Sequence, residues 1–256
     1  MDGRVELLII GDELLLGKRP DKHFAKIVGL LNARGMELGG AEILPDNEAV
    51  IAAAIRRFRA TDTPLLSCGG IGATPDDLTR QAAARAFEVP IERHPQAAAL
   101  IEKHYGDRAY PNRILMANFP RGAGLIPNPV NEVAGFSMER CYFVPGFPNM
   151  AWPMLTWVLD GPLAAMHRTD APVEYRMRVR GVPGEGDLLQ VMEGVIAAYP
   201  GIHLSSLPTR SPTSLKGFVE IGLRGPRDVA AGAYRWFRER ALQRPGAIIE
   251  DVDSPP

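Results

Sequence analysis

The sequence predicts an α/β fold with a mostly parallel sheet and helices on both faces, followed by a small α+β domain. Residues 5–10 and 64–68 are short apolar runs, typical of strands buried on both faces. Segments with helical spacing of apolar residues separate such runs, which is typical of βαβ units and a parallel sheet. From residue 175, apolar and basic residues instead alternate singly, which indicates a sheet with one solvated face.

The elements of the first domain follow in order along the chain. Gly11 ends the first predicted strand, and Asp46 is placed to cap the helix that follows the second strand. The predicted strands are 5–10, 37–44 and 64–68, the predicted helices are 23–34, 95–105, 113–119 and 150–159, and a hairpin is predicted over 136–144. We expect this domain to cover residues 1–168.

The second domain, predicted over residues 171–251, has the order βαββαβ of ferredoxin-like or KH-like domains. Residues 252–256 are predicted to form a tail. Gly181-Val182-Pro183-Gly184 has the letters of a KH-type GxxG loop, but it stands between a strand and a helix. Charges here are nearly balanced, so an RNA-associated role ranks last among the functions considered.

Composition restricts the class of protein. The 256 residues are 46% hydrophobic and carry a net charge of −1, which indicates a soluble folded chain without a global field for nucleic acid or acidic membranes. The first apolar run is too short and too acidic for a signal peptide or a membrane span, so we expect a cytoplasmic protein. Cys68 and Cys141 lack metal-ligand spacing and are predicted to be buried strand residues.

The strongest local signal is the loop Gly69-Gly70-Ile71-Gly72, which joins a buried strand to a predicted helix. Thr74 suits the N-cap of that helix, Pro75 its first position, and Asp77 the acid of a capping box. Glycines at a helix start bring backbone N–H groups close to an anion, so the loop predicts a phosphate site. A tight turn with acids that complement the helix dipole is the alternative reading.

Acidic residues surround this loop. Asp76 and Asp77 would repel a phosphate unless a divalent cation lay between them, so the pair predicts an oxygen-coordinated ion such as Mg²⁺. Gly11, Asp12 and Glu13 end the first strand and fall on the same sheet edge if the strands are parallel. Solvated turn acids explain them equally well, and Asp46 could serve only as a cap.

Basic residues follow the first strand. Lys18, Arg19, Lys22 and His23 are candidates to clamp phosphates, with Lys18 or Lys22 neutralising charge that develops during hydrolysis. A solvated charged surface explains the two lysines as well, and His23 could be an ordinary polar helix residue.

Several segments, in this order, resemble the molybdopterin-binding superfamily, and more closely the N-terminal and KH-like domains of the CinA (competence/damage-inducible protein) family. They are the runs 11–17, 46–47, 69–79, 111–112, 127–129 and 145–148. The resemblance implies that a phosphorylated pterin, molybdopterin included, or a nucleotide binds at the glycine loop and at Pro145 and Gly146. It also implies cleavage of ADP-ribose to AMP and ribose 5-phosphate with Mg²⁺, Mn²⁺ or Co²⁺, and a homo-oligomer. The family's amidase domain has no counterpart here, so deamidase activity is not expected.

Three positions depart from the family pattern. Ala73 replaces a proline, His23 stands where an asparagine is usual, and Asn149-Met150 occupy the place of a glutamate. Losing an acid from a metal site can abolish turnover while the glycine loop still holds phosphate. A non-catalytic binding or regulatory module is therefore the alternative function.

Overall fold

The computed structural model of the chain describes residues 3–209 and 217–252, and the chain divides between Thr169 and Asp170 into two units. The strands of the first unit are β1 (Arg4–Ile10), β2 (Glu37–Leu44), β3 (Leu65–Cys68), β4 (Ile91–Arg93), β5 (Asn118–Pro120), β6 (Gly124–Ile126), β7 (Gly135–Met138) and β8 (Cys141–Val144). Its α-helices are α1 (Asp12–Leu15), α2 (Phe24–Asn32), α3 (Glu48–Arg59), α4 (Thr79–Phe87), α5 (Pro95–Tyr105) and α6 (Pro148–Asp160).

The central sheet has the strand order β2-β1-β3-β8-β7-β6. The first four strands are parallel, and β7 and β6 extend the sheet in antiparallel fashion. This confirms the predicted mostly parallel sheet and the hairpin. From β1 the chain goes outward to β2 and then returns past β1 to β3, so the winding direction reverses between β1 and β3. Open sheets bind ligands at the carboxyl ends of the strands on either side of such a reversal.

Apolar side chains pack on both faces of this sheet. Leu8 lies in the core that contains Ile55 of α3, whereas Leu7 and Ile9 lie in the core that contains Ile27 of α2. Each fully buried side chain of this kind stabilises the fold by roughly 1.5–3 kcal/mol. Burial on both faces is the reason that β1 reads as a continuous apolar run rather than as an alternating one.

The second unit contains β9 (Val173–Arg180), α7 (Leu189–Ala198), β10 (His203–Thr209), β11 (Phe218–Gly225), α8 (Arg227–Ala241) and β12 (Ile248–Val252). Its sheet is antiparallel throughout, in the order β10-β11-β9-β12. Met177 and Val179 point into the core formed with both helices, while Arg178 pairs with Glu220 outside that core. The βαββαβ order and the sheet with one polar face are those that the sequence predicts.

Some predicted boundaries were wrong. The helix expected over 113–119 is a 3₁₀ turn at Arg113–Ala117. It ends there because Asn118–Pro120 forms β5, which pairs with β4. The last strand extends to Val252 because its end pairs with β9, and the remaining tail residues lie outside the described part. Within residues 3–209 and 217–252, no helix is both long enough and apolar enough to cross a bilayer.

Candidate functional site

A cleft of about 730 Å³ opens at the carboxyl ends of β1 and β3, where the winding direction reverses. Most of the predicted site residues line it. They are Gly11, Glu13, Lys22, His23, Asp46, Gly69, Gly70, Ile71, Gly72, Thr74, Asp76, Asp77, Pro145 and Gly146. Asp12 and Lys18 do not line the cleft, whereas Arg19, another of the predicted phosphate-clamping residues, does.

The glycine loop crosses the end of β1 in close contact. Gly69 has a φ of +110°, and a Cβ there would overlap the carbonyl oxygen of Ile10 and lie 3.2 Å from its carbonyl carbon. Gly70 has a φ of +68°, and a Cβ there would overlap the hydroxyl of Thr79. Side chains are excluded at both positions by conformation and by space, so the loop requires glycine.

The loop leaves backbone donors free for a ligand. The Gly69 N–H donates to the Val144 carbonyl at 3.0 Å, which anchors the loop to β8. Within the described part of the chain, the N–H groups of Gly70, Ile71, Gly72 and Ala73 make no hydrogen bond to a protein acceptor. Successive free N–H groups in a loop with left-handed residues form a concave anion-binding surface.

The predicted start of the following helix was wrong. Thr74 and Asp77 do make the expected contact, since the Thr74 N–H donates to Asp77 Oδ2 at 2.9 Å. However, these residues form a single turn, and α4 begins at Thr79. The Thr79 N–H donates to the Gly70 carbonyl and its hydroxyl to the Gly69 carbonyl, both at 2.9 Å. The chain therefore folds back onto the glycine loop before the helix starts.

The ends of β1 and β2 are joined by a reciprocal pair of carboxylates. The Asp12 N–H donates to Asp46 Oδ2 at 2.9 Å, and the Asp46 N–H donates to Asp12 Oδ1 at 3.3 Å. Asp46 is therefore not the predicted helix cap, a role taken by Asn47. Burial raises the pKa of the Asp46 carboxyl, the hydrogen bond from Asp12 opposes that rise, and the charges of Asp12, Glu13 and Asp76 add to it.

No preformed metal cage exists among the residues that the structure describes. No group of three or more His, Cys, Asp or Glu side chains there could hold a metal ion. Both acids of the predicted pair engage Thr74, because Asp77 accepts hydrogen bonds from its N–H and hydroxyl, and a hydrogen bond with Thr74 lowers the pKa of Asp76. The acids of the cleft are nevertheless oxygen donors, which hard divalent cations prefer.

His23 is a buried part of the framework. It is 5% exposed, and its Nε2 donates to the Gly146 carbonyl at 3.0 Å. Asp21 accepts from the N–H groups of His23 and Phe24, both at 2.9 Å, and so holds the start of α2. His23 thereby ties α2 to the loop after β8, which itself packs against Gly69.

Aromatic and apolar side chains also line the cleft. They are Tyr105, Met116, Val133, Phe147 and Met150. Phe147 is 61% exposed, so a planar ring system can stack on it. Polar groups and apolar side chains in one cleft fit a phosphorylated heterocycle better than a free phosphate.

Residues 6–165 match the family described as probable molybdopterin binding domain. The chain belongs to this family. Molybdopterin-binding domains of the CinA type are its relatives: a CinA-like protein of Geobacter sp. strain M21 is 35% identical over 93% of this chain, and the chain spans 60% of that protein. A protein of Pyrobaculum arsenaticum is 28% identical over 97% of this chain and 98% of its own length.

A solved structure supports the assignment of the molybdopterin-binding unit. The crystal structure of the protein CinA, of unknown function, from Thermoplasma acidophilum has a TM-score of 0.57 at 25% identity. The match covers 61% of this chain and 97% of that one. The chain is thus a member of the molybdopterin-binding family that is similar to CinA-like proteins, in agreement with the sequence resemblance.

Two residues that contact the glycine loop were missed in the sequence analysis. Thr79 and Arg80 are the first two residues of α4, and both are buried. Their side chains donate hydrogen bonds to the carbonyls of Gly69 and Gly72 in the glycine loop. Thr79 was part of the family motif but had no assigned role. A threonine and an arginine inside an otherwise apolar helix face were the only available signal, because their partners are backbone carbonyls.

Proposed function

We propose that this chain binds a nucleotide or a pterin through its phosphate at the glycine loop, and that with a divalent cation it hydrolyses ADP-ribose to AMP and ribose 5-phosphate. The observation that carries the proposal is the row of free N–H groups from Gly70 to Ala73 at the carboxyl end of β3. Such groups bind phosphate oxygens directly. CinA-type kinship supplies the choice of substrate.

The charges around the cleft argue for a cation. Among the described residues that line it are the acids Glu13, Asp46, Asp76 and Asp77 and the bases Arg19 and Lys22. A phosphate would be repelled by this excess of carboxylates. Mg²⁺ is usually held by one or two carboxylates together with substrate phosphates, so Mg²⁺, Mn²⁺ or Co²⁺ can enter with the ligand, and no three-carboxylate cage is required. Bound there, the ion would neutralise the phosphates and polarise a phosphoryl oxygen.

Hydrolysis of the pyrophosphate needs a proton acceptor and a neutralised leaving group. The oxygen of water bonds to one phosphorus, the bridging P–O bond breaks, and the water proton must be taken up. Asp46 is the proposed acceptor, because its raised pKa makes it a stronger base than an ordinary carboxylate. Lys22, which lines the cleft, is the proposed partner of the leaving phosphate, and Lys18 is not.

The test incubates the protein with ADP-ribose and Mg²⁺, Mn²⁺ or Co²⁺ and measures AMP formation by mass spectrometry. Asp46→Asn keeps the acceptor for the Asp12 N–H but not the base, and should lower turnover by about 10²-fold or more. Asp62→Asn is the matched control, because the Asp62 side chain is 88% exposed and lies outside the cleft lining. Equal turnover by Asp46→Asn would refute its role, and no AMP with any of the metals would refute hydrolysis.

A non-catalytic binding module is the second candidate. It is favoured by Met150, which lies on the cleft wall in the region where the family resemblance places a glutamate. Calorimetric titration with AMP, ADP-ribose and a reduced pterin decides between the two, since binding without AMP release supports the module. CinA-type kinship also leads us to propose a homo-oligomer, which light scattering on the purified chain will test.

A further inference from the structure

Arg80 is the least expected charge in the first unit. It is the second residue of α4 and is 5% exposed. Within the described residues, its guanidinium donates only to backbone carbonyl oxygens, namely those of Gly72 and Leu115 and, at 3.4 Å, Asn118. These three acceptors belong to the glycine loop, the 3₁₀ turn and β5, so one side chain ties three segments together.

This charge has no counter-ion in the described part of the chain. No carboxylate forms an ion pair with Arg80, and its Nε–H is buried without an acceptor. Burial lowers the pKa of Arg80, and Asp77 opposes that shift only through its charge. A positive charge at the start of a helix also interacts unfavourably with the helix dipole, whose positive end lies there. Stability alone does not explain an unpaired buried arginine here.

The position of Arg80 relative to the cleft gives it a function. Ala73 and Thr74 line both the main cleft and a second cavity of about 210 Å³, which Arg80 also lines. The loop is therefore the wall that separates the guanidinium from the ligand. In a planar trans peptide the carbonyl and the next N–H point in opposite directions. Because the Gly72 carbonyl is held toward Arg80, the Ala73 N–H is turned to the opposite side of the loop.

We propose that Arg80 is a positioning residue for phosphate recognition, which orients the Gly72–Ala73 peptide so that its N–H faces the cleft and places a positive charge behind the loop. This role of Arg80 rests on the proposed phosphate binding at the glycine loop and explains how that site recognises phosphate. It predicts that the site selects its ligand by negative charge on the phosphate, although acids outnumber bases among the described residues that line the cleft. It does not depend on hydrolysis.

The test compares R80Q, R80K and R85Q in the full chain. Arg85 is the matched control, since it lies on the same helix with a 55% exposed side chain and pairs with Glu48 at 3.4 Å. Inorganic pyrophosphate and phosphate are the probes, titrated with and without Mg²⁺ at constant ionic strength while thermal unfolding is followed. We expect R80Q to bind pyrophosphate about tenfold or more weakly, R80K to stay within about threefold of wild type, and R85Q to be unchanged.

Each outcome is decisive. A folded R80Q chain with wild-type affinity overturns the proposal, and so does an R80K chain that binds as weakly as R80Q, because the charge would then not matter. If R80Q does not fold, the R80K affinity decides, and a loss of about tenfold or more overturns it. Wild-type protein that binds neither probe, with or without Mg²⁺, overturns this inference and phosphate binding together. Phosphate binding without AMP formation refutes only the hydrolysis.

Discussion

Substitution of Gly69 by alanine tests the central geometric claim about the site, that the glycine loop lies directly on the end of β1. The φ of +110° costs a residue with a Cβ about 1–3 kcal/mol. The new methyl group would overlap the Ile10 carbonyl oxygen and lie 3.4 Å from the Ile10 Cβ, so β1 or the loop must move. Such overpacking costs a further 1–3 kcal/mol, roughly.

Together these terms predict that Gly69→Ala lowers the free energy of unfolding by about 2–6 kcal/mol. For a domain of this size each kcal/mol corresponds to roughly 2–4 °C in Tm, so the melting temperature should fall by at least about 4 °C. Urea unfolding followed by circular dichroism measures the free energy. The same preparation should also lose protection by pyrophosphate, because the loop N–H groups are displaced.

Two other glycines provide matched controls. Gly17 has a φ of +67° but no atom within 4 Å of the position that a Cβ would occupy, so Gly17→Ala measures backbone strain alone, about 1–2 kcal/mol. Gly29 lies inside α2 with open space around it, so Gly29→Ala should stabilise the chain by about 0.5–1 kcal/mol. If Gly69→Ala is no more destabilising than Gly17→Ala, the contact with Ile10 is not what the structure indicates.

Three further predictions concern the acids. Asp46→Asn should increase the free energy of unfolding at pH 7. The folded pKa of Asp46 is raised, so the protein loses stability as the pH rises from the unfolded to the folded pKa of this carboxyl, and the asparagine removes that loss. A pH series of urea midpoints that runs parallel to wild type would contradict this. Asp160 accepts from Arg34 at 2.5 and 2.7 Å, and this hydrogen bonding lowers the pKa of Asp160. Stability that is present at neutral pH should be lost as the pH falls below about 4, and Asp160→Asn should make that loss shallower in acid titrations of Tm. Asp77→Ala removes the acceptor for the exposed Thr74 N–H and should cost about 0.5–1.5 kcal/mol in urea unfolding. Asp77→Asn keeps an acceptor oxygen and should cost less, so equal costs would argue against the turn as described.

Much of the fold could be predicted because it is encoded locally. The apolar run of β1 and the single alternation of β9 distinguish a strand buried on two faces from a strand buried on one. The position of the glycine loop followed from the same reasoning, since its glycines come directly after a buried strand. The start of α4 could not be predicted, because Thr79 is held by carbonyls of Gly69 and Gly70 rather than by a local cap.

The sequence by itself determined the fold class, the two units and the strand ends at which the cleft lies, since periodicity and glycine placement act over a few residues. Tertiary structure decided which side chains meet there. Asp12 and Asp46 are 34 residues apart, and His23 and Gly146 are 123 apart, and only strand order brings each pair together. Arg80 is the clearest case, because its partners are backbone carbonyls, which carry no signature in the amino-acid sequence.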